Sequence, residues 1–415
     1  MAKVYFTLFF CACLALPVEL FSAGPGFEEL SSVSSSVLLH NFSVAVSPEE
    51  AVLPVPRVPA PVYLRGDFTQ VPDYAFSGLN DLTVKLIDAA LSSADIAMYS
   101  ITMKDAPAAL LRAAGRGVRV RVLLNEAHVF PKADKEIKRL LAAGGVEVRT
   151  LRGTRSYGVN HNKIGVYDGA VATLGSYNWT FGATFFNFEN LLVARHPVYV
   201  RGYVNYFEWM WSKARPAAQG PCPAELPEGY YGVPPQDPAP AQELNGLPVP
   251  AYLFSPGSDT ENRLAAIIDA ARSTVDAVTF TFSSKALSEA LVRARRRGVK
   301  VRFLMDEAMA KDSFAAKYVF DGGVDFRVGR GATGTGALHN KFAILDGRLL
   351  ETGSFNWTTN ASANSFENMV FVSDPGAVKA YQDKYDWFYA GAAVPAGDFF
   401  QPEPFEAATA AVPAP

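Results

Sequence analysis

The stretch HNKIGVYD, residues 161–168, decides the fold of this chain, because it returns 178 positions later as HNKFAILD, residues 339–346. Each copy is followed by a Gly-Ser-x-Asn-Trp-Thr segment and then by a Phe-Glu-Asn triplet, at residues 175–180 and 188–190, and at 353–358 and 366–368. The spacing from His to Glu is 28 positions in both copies. Chance does not repeat so many polar residues in one order and spacing, so the chain is an internal duplication.

The length and composition of the chain fit two domains. Its 415 residues exceed one ordinary domain and suit two of about 150 residues each. The apolar fraction of 49% is enough for two packed cores. A net charge of −3 gives no general attraction to nucleic acid or anionic lipid, which excludes a binding mode built on overall charge.

The repeat extends upstream of the motif. Residues 87–90 match residues 268–271, and residues 117–123 match residues 298–304, at an offset of 181. The three-residue difference from the motif offset indicates a change in an intervening loop. In each copy the periodicity predicts the order helix, strand, helix, strand, helix, strand, motif. This alternation predicts a layered α/β module with a largely parallel sheet.

Composition marks the segments around the two copies. A Pro-rich stretch resists both helix and central strand and is interpreted as a linker. An Ala/Pro/Glu-rich stretch at the end is expected to be disordered. The predicted organisation is a signal peptide at 1–23, a spacer at 24–61, module 1 at 62–215, the linker at 216–250, module 2 at 251–394 and the tail at 395–415.

The N-terminal residues carry the pattern of an export signal. One Lys precedes an apolar run from Val4 to Val18, and the small Ser22 and Ala23 precede a Gly/Pro stretch. The run is shorter than the ~20 residues of a bilayer span. The pattern predicts a periplasmic or secreted protein, with an uncleaved N-terminal anchor as the alternative. Removal of the signal would leave Cys222 as the only cysteine, so neither an internal disulfide nor a cysteine zinc site is expected.

The motif residues suit chemistry at a phosphate. Residues i and i+2 of a strand project to one face, so His161 and Lys163 can reach one ligand, and so can His339 and Lys341. Imidazole is best matched to nucleophilic attack or proton transfer near neutral pH. An ammonium group is a point charge for an anionic oxygen. Further phosphate-binding donors are expected from Ser176, Asn178, Ser354 and Asn356.

Two such sets facing each other would hold one tetrahedral anion between two imidazoles. One imidazole would attack phosphorus, the other would protonate the leaving oxygen, and Lys and Asn groups would stabilise the non-bridging oxygens. Glu189 and Glu367 are expected to orient the rings by accepting a hydrogen bond from the second ring nitrogen, as in a triad. Solvated strand charges are the alternative for these two residues. Trp179 and Trp357 are expected to pack in the core.

The pattern H-x-K-x(4)-D-x(6)-G-S-x-N-W-T, followed by F-E-N, resembles the phospholipase D superfamily, and its shape is most similar to the branch of bacterial nucleases and cardiolipin hydrolases. The resemblance covers both modules. It implies an α/β fold of two duplicated α-β-α sandwich modules, related by a pseudo-twofold axis, with one active site at their interface. It also implies a covalent phosphohistidine that water or an alcohol resolves, and neither a metal nor another cofactor.

The resemblance also distributes the catalytic roles. It makes His161 the nucleophile and His339 the general acid, although the pseudo-symmetry leaves the reverse order open. Lys163 and Lys341 join them in the catalytic set. Asp168 and Asp346 complete the set as supports of the site rather than reactants, with plain turn residues as the alternative.

The expected reaction is hydrolysis of a phospholipid headgroup ester, such as that of phosphatidylcholine, to phosphatidate. The alternatives are an exported endonuclease on DNA or RNA, hydrolysis or phosphatidyl transfer of the cardiolipin type, and a non-catalytic phosphate-binding protein. Both half-sites lie in one chain, so a monomer is sufficient for catalysis.

Two sets of residues bear on the choice between substrates. An arginine-lined groove would favour nucleic acid, whereas a rim of exposed aromatic side chains would favour lipid and peripheral contact with a membrane. The arginine candidates are Arg152, Arg155, Arg327 and Arg330, and the aromatic candidates are Phe185, Phe186, Phe314 and Tyr318. The basic run at residues 293–297 is expected to be a solvated helix end.

Overall fold

The computed structural model describes residues 64–155, 157–222, 226–227, 229–396 and 398–401. The predicted signal peptide (1–23) and spacer (24–61) lie outside these residues. In the part of the chain that the structure describes, no helix combines the length and hydropathy needed to cross a bilayer.

Module 1 is built on an eight-stranded sheet with the motif strand near its centre. Its elements are β1 (Tyr74–Ala75), α1 (Leu79–Ala89), β2 (Ser93–Met98), α2 (Asp105–Gly115), β3 (Arg119–Asn125), α3 (Lys135–Ala142), β4 (Val146–Leu151), β5 (Lys163–Tyr167), β6 (Val171–Gly175), α4 (Phe181–Phe185), β7 (Leu191–Ala194), α5 (Pro197–Lys213) and β8 (Arg215–Pro216). The strand order is β1-β7-β6-β5-β2-β3-β4-β8.

Module 2 repeats this arrangement after a short hairpin. Its elements are β9 (Gln242–Leu244), β10 (Leu247–Val249), β11 (Tyr252–Ser255), α6 (Thr260–Ala270), β12 (Thr274–Thr279), α7 (Lys285–Arg296), β13 (Lys300–Asp306), α8 (Glu307–Lys311), α9 (Phe314–Asp321), β14 (Asp325–Gly329), β15 (Phe342–Leu345), β16 (Leu349–Gly353), α10 (Thr359–Ala363), β17 (Glu367–Val372) and α11 (Pro375–Gly391). The strand order is β11-β17-β16-β15-β12-β13-β14, which matches the first seven strands of the module 1 order and has no counterpart of β8.

Both sheets are mixed, so the expectation of a largely parallel sheet is wrong. The strands joined by helices are parallel, namely β2–β3–β4 and β12–β13–β14. The motif strands β5 and β15 run antiparallel to β2 and β12 and continue into hairpins. The cause is local, because Asp168-Gly169 and Asp346-Gly347 adopt positive φ and reverse the chain directly after each motif strand.

Three apolar cores hold the layers together. One lies between α1–α3 and the first sheet, and a second lies between α6, α7 and α9 and the second sheet. The third lies between the two sheets and contains α5 and α11, with their buried Tyr203, Tyr206, Tyr381 and Tyr385. Each sheet is therefore covered on both faces, as an α-β-α sandwich requires, and the inner layer is shared by the two modules.

Two glycines allow the modules to approach closely beside the motif strands. A Cβ atom on Gly336 would lie 1.8 Å from the carbonyl oxygen of Phe186, and one on Gly158, its equivalent at the offset of 178, would lie 2.7 Å from that of Asn364. Each contact joins the loop before one motif strand to the end of the short helix, α4 or α10, of the other module. The contacts are therefore related by the pseudo-symmetry, and no larger residue fits at either glycine.

The linker and the tail have more structure than their composition indicated. Residues 242–249 of the linker form the β9–β10 hairpin, whose apolar residues are buried in the core of module 2. Asn245-Gly246 turns this hairpin with positive φ, a signal that the Pro-rich surroundings obscure. In the described part of the tail, Phe400 packs against two phenylalanines of module 2. The expectation of disorder is therefore wrong for residues 398–401.

Candidate active site

The two motif segments interlock along the module interface. The backbone N–H of His161 donates to Phe366 O at 3.0 Å, and that of His339 donates to Phe188 O at 3.0 Å. Isolated bridges also join Asn160 to Phe366 and Phe188 to Leu338. The start of each motif strand is therefore paired with the Phe-Glu-Asn triplet of the other module, so the two half-sites form one site.

Each motif imidazole binds a carboxylate that belongs to the opposite module. His161 Nδ1 lies 2.9 Å from Glu367 Oε1 and 3.0 Å from its Oε2. His339 Nδ1 lies 2.9 Å from Glu189 Oε2. The sequence suggested the His–Glu hydrogen bond, and the structure adds that the two pairs are crossed. With Nδ1 facing a carboxylate, Nε2 is the ring nitrogen that remains for a substrate.

The two carboxylates have different second partners. Glu367 Oε2 accepts a hydrogen bond from Ser354 Oγ at 2.6 Å. Glu189 Oε1 accepts one from Asn187 Nδ2 at 3.1 Å. Both carboxylates are almost fully buried. The pseudo-twofold relation therefore holds for the His–Glu pairs and breaks in the groups that support them.

An aromatic ring beside each imidazole completes the wall of the site. Tyr99 packs edge-on against His161 with 4.8 Å between ring centroids, and Phe280 does so against His339 at 4.7 Å. Lys163 Nζ lies 5.0 Å from the Tyr99 centroid, and Lys341 Nζ lies 5.0 Å from the Phe280 centroid. The sequence analysis missed both rings. The repeat could have identified them, because Tyr99 and Phe280 occupy matched positions just beyond β2 and β12, at the upstream offset of 181.

The two lysines are buried and held by the motif backbone. Lys163 Nζ donates to the carbonyl oxygen of His161, and Lys341 Nζ donates to that of His339. Burial lowers the pKa of Lys341 to about 7 and lowers the pKa of Lys163 well below its ordinary value. A phosphate that enters the site supplies the negative charge that both ammonium groups need, so substrate binding favours their protonated forms.

The two imidazoles differ electrostatically. Burial lowers the pKa of His161 well below its ordinary value, and the charges of Lys163 and Lys341 lower it further. Burial also lowers the pKa of His339, but the charge of Glu189 opposes that shift. Burial raises the pKa of Glu367 to about 8. His161 is therefore the imidazole held more strongly in its neutral form, and His339 is the one better supported as an imidazolium.

The motif serines do not point to a phosphate, which corrects the role expected for Ser176 and Ser354. Both are fully buried. Ser176 Oγ accepts the backbone N–H of Asn190, and Ser354 Oγ accepts that of Asn368. These two asparagines in turn donate across the interface to Asn340 and Asn162. The serines therefore position the triplets that carry the crossed carboxylates.

The motif asparagines remain candidates for contact with the substrate. Asn178 and Asn356 are partly exposed at matched positions, two residues after each serine. The Oδ1 atom of each is shielded from solvent and has no hydrogen-bond partner among the described residues. An Oδ1 atom only accepts hydrogen bonds, so any contact of these two residues with the non-bridging oxygens of a phosphate would come from their Nδ2 donors.

Asp168 and Asp346 lie at the far end of the motif strands, which corrects their place in the catalytic set. Seven residues of extended chain put Asp168 about 20 Å from His161. The carboxylate of Asp168 accepts backbone N–H groups of Gly66 and residues 91–93 at 2.7–3.2 Å. Burial alone would raise its pKa, but these bonds outweigh burial and lower it. Asp346 binds residues 272–274 in the same way. Both residues fix the sheet edge and turn.

A chamber of about 610 Å³ opens beside the His339 half-site. Phe280 forms part of its wall, together with Met309 of α8 and the loop at residues 335–337. Its lining also carries the charged side chains Asp306, Glu307, Lys311, Arg330 and Asp398. Among the described residues, no group of three or more His, Cys, Asp or Glu side chains is arranged to hold a metal ion.

A duplicated α/β fold whose two His–Lys sets meet at one interface defines the class of proteins to which the chain belongs. A family model described as "Cardiolipin synthase, PLD-like domain" matches residues 83–211 and 264–389, one segment in each module. These segments cover more than half of the chain. The chain therefore belongs to the phospholipase D superfamily.

Relatives of known name match one copy of the repeat. Human mitochondrial cardiolipin hydrolase is 35% identical over 150 residues, which are 36% of this chain and 58% of that protein. A phospholipase D of Rickettsia prowazekii (strain Madrid E) is 30% identical over 140 residues, which are 32% of this chain and 64% of that protein. This chain thus spans about three-fifths of the length of the curated relatives it matches.

Solved structures show the same fold. A phosphatidylserine synthase from Haemophilus influenzae Rd KW20 superposes with a TM-score of 0.61 at 14% identity, over 80% of this chain and 89% of that chain. A polyphosphate kinase from Porphyromonas gingivalis superposes with a TM-score of 0.53 at 14% identity, over 81% of this chain and 52% of that chain. At this identity the likeness concerns the fold alone.

Proposed function

We propose that this protein is a phospholipase D-type enzyme that hydrolyses the headgroup ester of phospholipids through a covalent phosphohistidine. The observation that carries the proposal is the pair of crossed His–Glu hydrogen bonds. They hold two imidazoles by Nδ1 beside two buried lysine side chains. This set supplies a nucleophile, a general acid and charge for the non-bridging oxygens at one phosphorus.

The proposed reaction has two steps. First, the Nε2 lone pair of His161 attacks phosphorus, the P–O bond to the headgroup alcohol breaks, and His339 gives its Nε2 proton to the leaving oxygen. Second, His339 takes a proton from water, the water oxygen attacks phosphorus, and the P–N bond breaks. Phosphatidate is released and both imidazoles return to their starting forms.

The electrostatics favour this assignment over the reverse. A nucleophile must be neutral, and the pKa of His161 is lowered well below its ordinary value by burial and by the neighbouring ammonium groups. A general acid must hold a proton; burial lowers the pKa of His339, but the charge of Glu189 opposes that shift, and no such opposing charge acts on His161.

The arginine candidates give little support to a nucleic-acid substrate. Arg330 makes a bidentate pair with Glu307 at 2.6 and 2.7 Å. Arg327 packs 4.0 Å above the Tyr389 ring and donates to its carbonyl oxygen. Nε and Nη2 of Arg152 are shielded from solvent. In the basic run, Arg293 and Arg297 both bind Asp269, as expected of a helix end. Arg330, Arg327 and the helix-end arginines are thus engaged by the protein itself rather than by an open polyanion groove.

The exposed aromatic side chains support a lipid substrate. Phe181, Phe185 and Phe186 form an exposed cluster on α4, with ring centroids 4.7 and 5.5 Å apart. The equivalent helix α10 carries Thr, Asn and Ala at these positions. Because the Phe186 carbonyl contacts the loop that leads into His339, this cluster lies at the rim of the site. A contiguous apolar patch beside a phosphodiesterase site suits contact with a membrane surface.

The experiment that tests the proposal compares phosphatidylcholine, cardiolipin and single-stranded DNA as substrates for the purified protein in the presence of a chelator. Turnover of a phospholipid is expected, and it should be abolished in His161→Ala and in His339→Ala. His196→Ala is the matched control, because His196 is exposed at the start of α5. Turnover of DNA alone, with a steep loss in salt, would identify a nuclease instead.

Export and action as a monomer are parts of the same proposal. The apolar N-terminal run motivates export, and cell fractionation with a mature-size band outside the cytoplasm would support it. Because residues of both modules complete each His–Glu pair within one chain, full activity is expected from the monomeric fraction of a size-exclusion column. Activity confined to a dimer would contradict this part.

A further inference from the structure

Module 2 contains a large apolar cleft outside the catalytic residues. The cleft lies between α7, α8 and α9 and has a volume of about 740 Å³, within the size range of ligand sites. Phe282, Met309, Phe314 and Tyr318 form its apolar lining. Three of these side chains remain open to solvent, with exposed fractions of 38% for Met309, 73% for Phe314 and 40% for Tyr318. Such exposure is costly unless a ligand or a surface covers it.

The position of Phe314 at the mouth of the cleft is fixed by the fold. Ser313 caps α9, where its hydroxyl accepts the N–H of Ala316 at 3.0 Å. The same hydroxyl donates to the carbonyl oxygen of Phe282 at 2.6 Å. These two bonds hold the start of α9 against the strand-end loop that forms the cleft floor. The exposed position of the Phe314 ring is therefore fixed by these two hydrogen bonds.

The cleft adjoins the chamber beside His339. Ala308 and Met309 line both the cleft and the chamber beside His339. On the other side of the chamber, Phe280 packs edge-on against His339 at 4.7 Å. An apolar wall thus runs from the general acid through Met309 to Phe314. A ligand bound at the two imidazoles can extend along this wall into the cleft.

Module 1 has a different surface at the corresponding position. The residue equivalent to Met309 is His128, whose ring packs edge-on against Tyr99 with 4.7 Å between centroids. A polar ring thus stands where module 2 offers a flexible apolar side chain. The apolar extension of the site is therefore a feature of module 2, and it distinguishes the two ends of the pseudo-symmetric site.

The charges around the cleft argue against nucleic acid as its occupant. Glu289 and Asp312 line it, against one positive side chain, Lys285. A polyanion would meet net negative charge here, whereas a hydrocarbon chain has no charge to repel. The apolar lining, the volume and the charge of the cleft therefore all favour a hydrocarbon ligand.

We infer that this cleft is the acyl-chain site of the enzyme, in which a hydrocarbon chain of the substrate lies while its phosphate is held between His161 and His339. The inference rests on the proposed function, because it assumes that the phosphodiester at the imidazoles belongs to a lipid. It adds that module 2 determines the selectivity for acyl-chain length and that Phe314 and Met309 contribute to this selectivity.

A chain-length series of monomeric, water-soluble phosphatidylcholines tests the inference without a membrane. Each methylene that enters an apolar site increases kcat/KM up to about fourfold, so two further carbons should give a gain on the order of tenfold in the natural protein. Phe314→Ala should reduce this gain to about threefold or less, and Met309→Ala should act in the same direction. Turnover of bis(4-nitrophenyl) phosphate, which has no acyl chain, should stay within about twofold. Tyr230→Ala, which truncates an exposed aromatic ring of the linker outside the cleft, is the matched control and should keep the full gain.

The outcomes separate the inference from the function on which it rests. Phospholipid turnover with no dependence on chain length, or an undiminished gain in Phe314→Ala, would overturn the acyl-chain site and leave the phospholipase activity standing. Turnover of bis(4-nitrophenyl) phosphate or DNA without any phospholipid turnover would overturn both. A selective loss of single-stranded DNA turnover in Phe314→Ala would show that the cleft stacks bases instead.

Discussion

Replacing Glu189 by Gln should separate the roles of the two imidazoles. The change removes the charge that faces His339 Nδ1 at 2.9 Å and keeps the size of the side chain. A hydrogen bond to a buried charged group contributes about 1.5–3 kcal/mol. At 1.36 kcal/mol for each factor of ten, its loss should slow protonation of a poor leaving group about 10- to 150-fold. The pKa of His339 should fall as well, because the charge of Glu189 raises it.

The assay compares two esters of the same phosphatidyl group. Choline needs a proton in order to leave, whereas 4-nitrophenolate leaves without one at neutral pH. Single-turnover measurements in Glu189→Gln should therefore show the full loss with phosphatidylcholine and a loss of at most about threefold with the 4-nitrophenyl ester. The matched control is Glu367→Gln, which changes the carboxylate of His161. Because nucleophilic attack is needed for both esters, this variant should slow them equally.

Two results would refute this reasoning. Full activity of Glu189→Gln on phosphatidylcholine would show that the carboxylate does not orient or charge the general acid. The opposite pattern, in which Glu367→Gln discriminates between the esters and Glu189→Gln does not, would reverse the assignment of nucleophile and acid. Titration of the imidazole signals by NMR in both variants would give an independent measure of which ring each carboxylate serves.

Three further expectations follow from buried ionisable groups. The value of kcat/KM should decline as pH rises through about 7, because burial lowers the pKa of Lys341 to about 7 and its charge is lost above that value; a flat profile in this range would contradict a role for the ammonium charge. Asp168→Ala should lower the free energy of unfolding in urea by about 2–4 kcal/mol and leave kcat nearly unchanged, because its carboxylate caps four backbone N–H groups; a large loss of kcat at unchanged stability would restore a catalytic role. Glu351→Met should stabilise the protein by about 1–3 kcal/mol at pH 8 and less at pH 5, and an equal effect at both pH values would contradict this. The carboxyl group of Glu351 is fully buried with no hydrogen-bond partner among the described residues, and burial raises its pKa well above the usual value. The folded state therefore keeps a proton that the unfolded state releases as pH rises past the ordinary pKa, so the native glutamate destabilises the fold more at high pH.

The meeting of the motif histidines and lysines in one site could be predicted because the repeat itself identifies them. A duplicated polar motif survives only where both copies serve one purpose, and two neighbouring strand positions place His and Lys together by local geometry alone. The crossing of the carboxylates could not be predicted in this way. Glu189 stands 28 positions after His161 just as Glu367 does after His339, so the spacing is equally compatible with pairing within one module.

Other features depended on geometry that sequence proximity does not report. Asp168 is close to His161 in sequence, but an extended strand carries it to the opposite edge of the sheet, where backbone N–H groups bind it. Ser176 is part of the motif, yet it bonds the backbone of Asn190. Tyr99 was missed because its repeat partner is Phe280, and only their contacts with the imidazoles reveal the common role.

The crossed carboxylates also bear on how such a chain can evolve. A lone repeat would hold an imidazole without its acceptor, and it could work only when two separate polypeptides came together. Two identical polypeptides under strict symmetry must give both rings the same surroundings. Joining the repeats in one gene removes that constraint, so a hydroxyl can support one carboxylate and an amide the other, and the two rings can acquire different proton affinities.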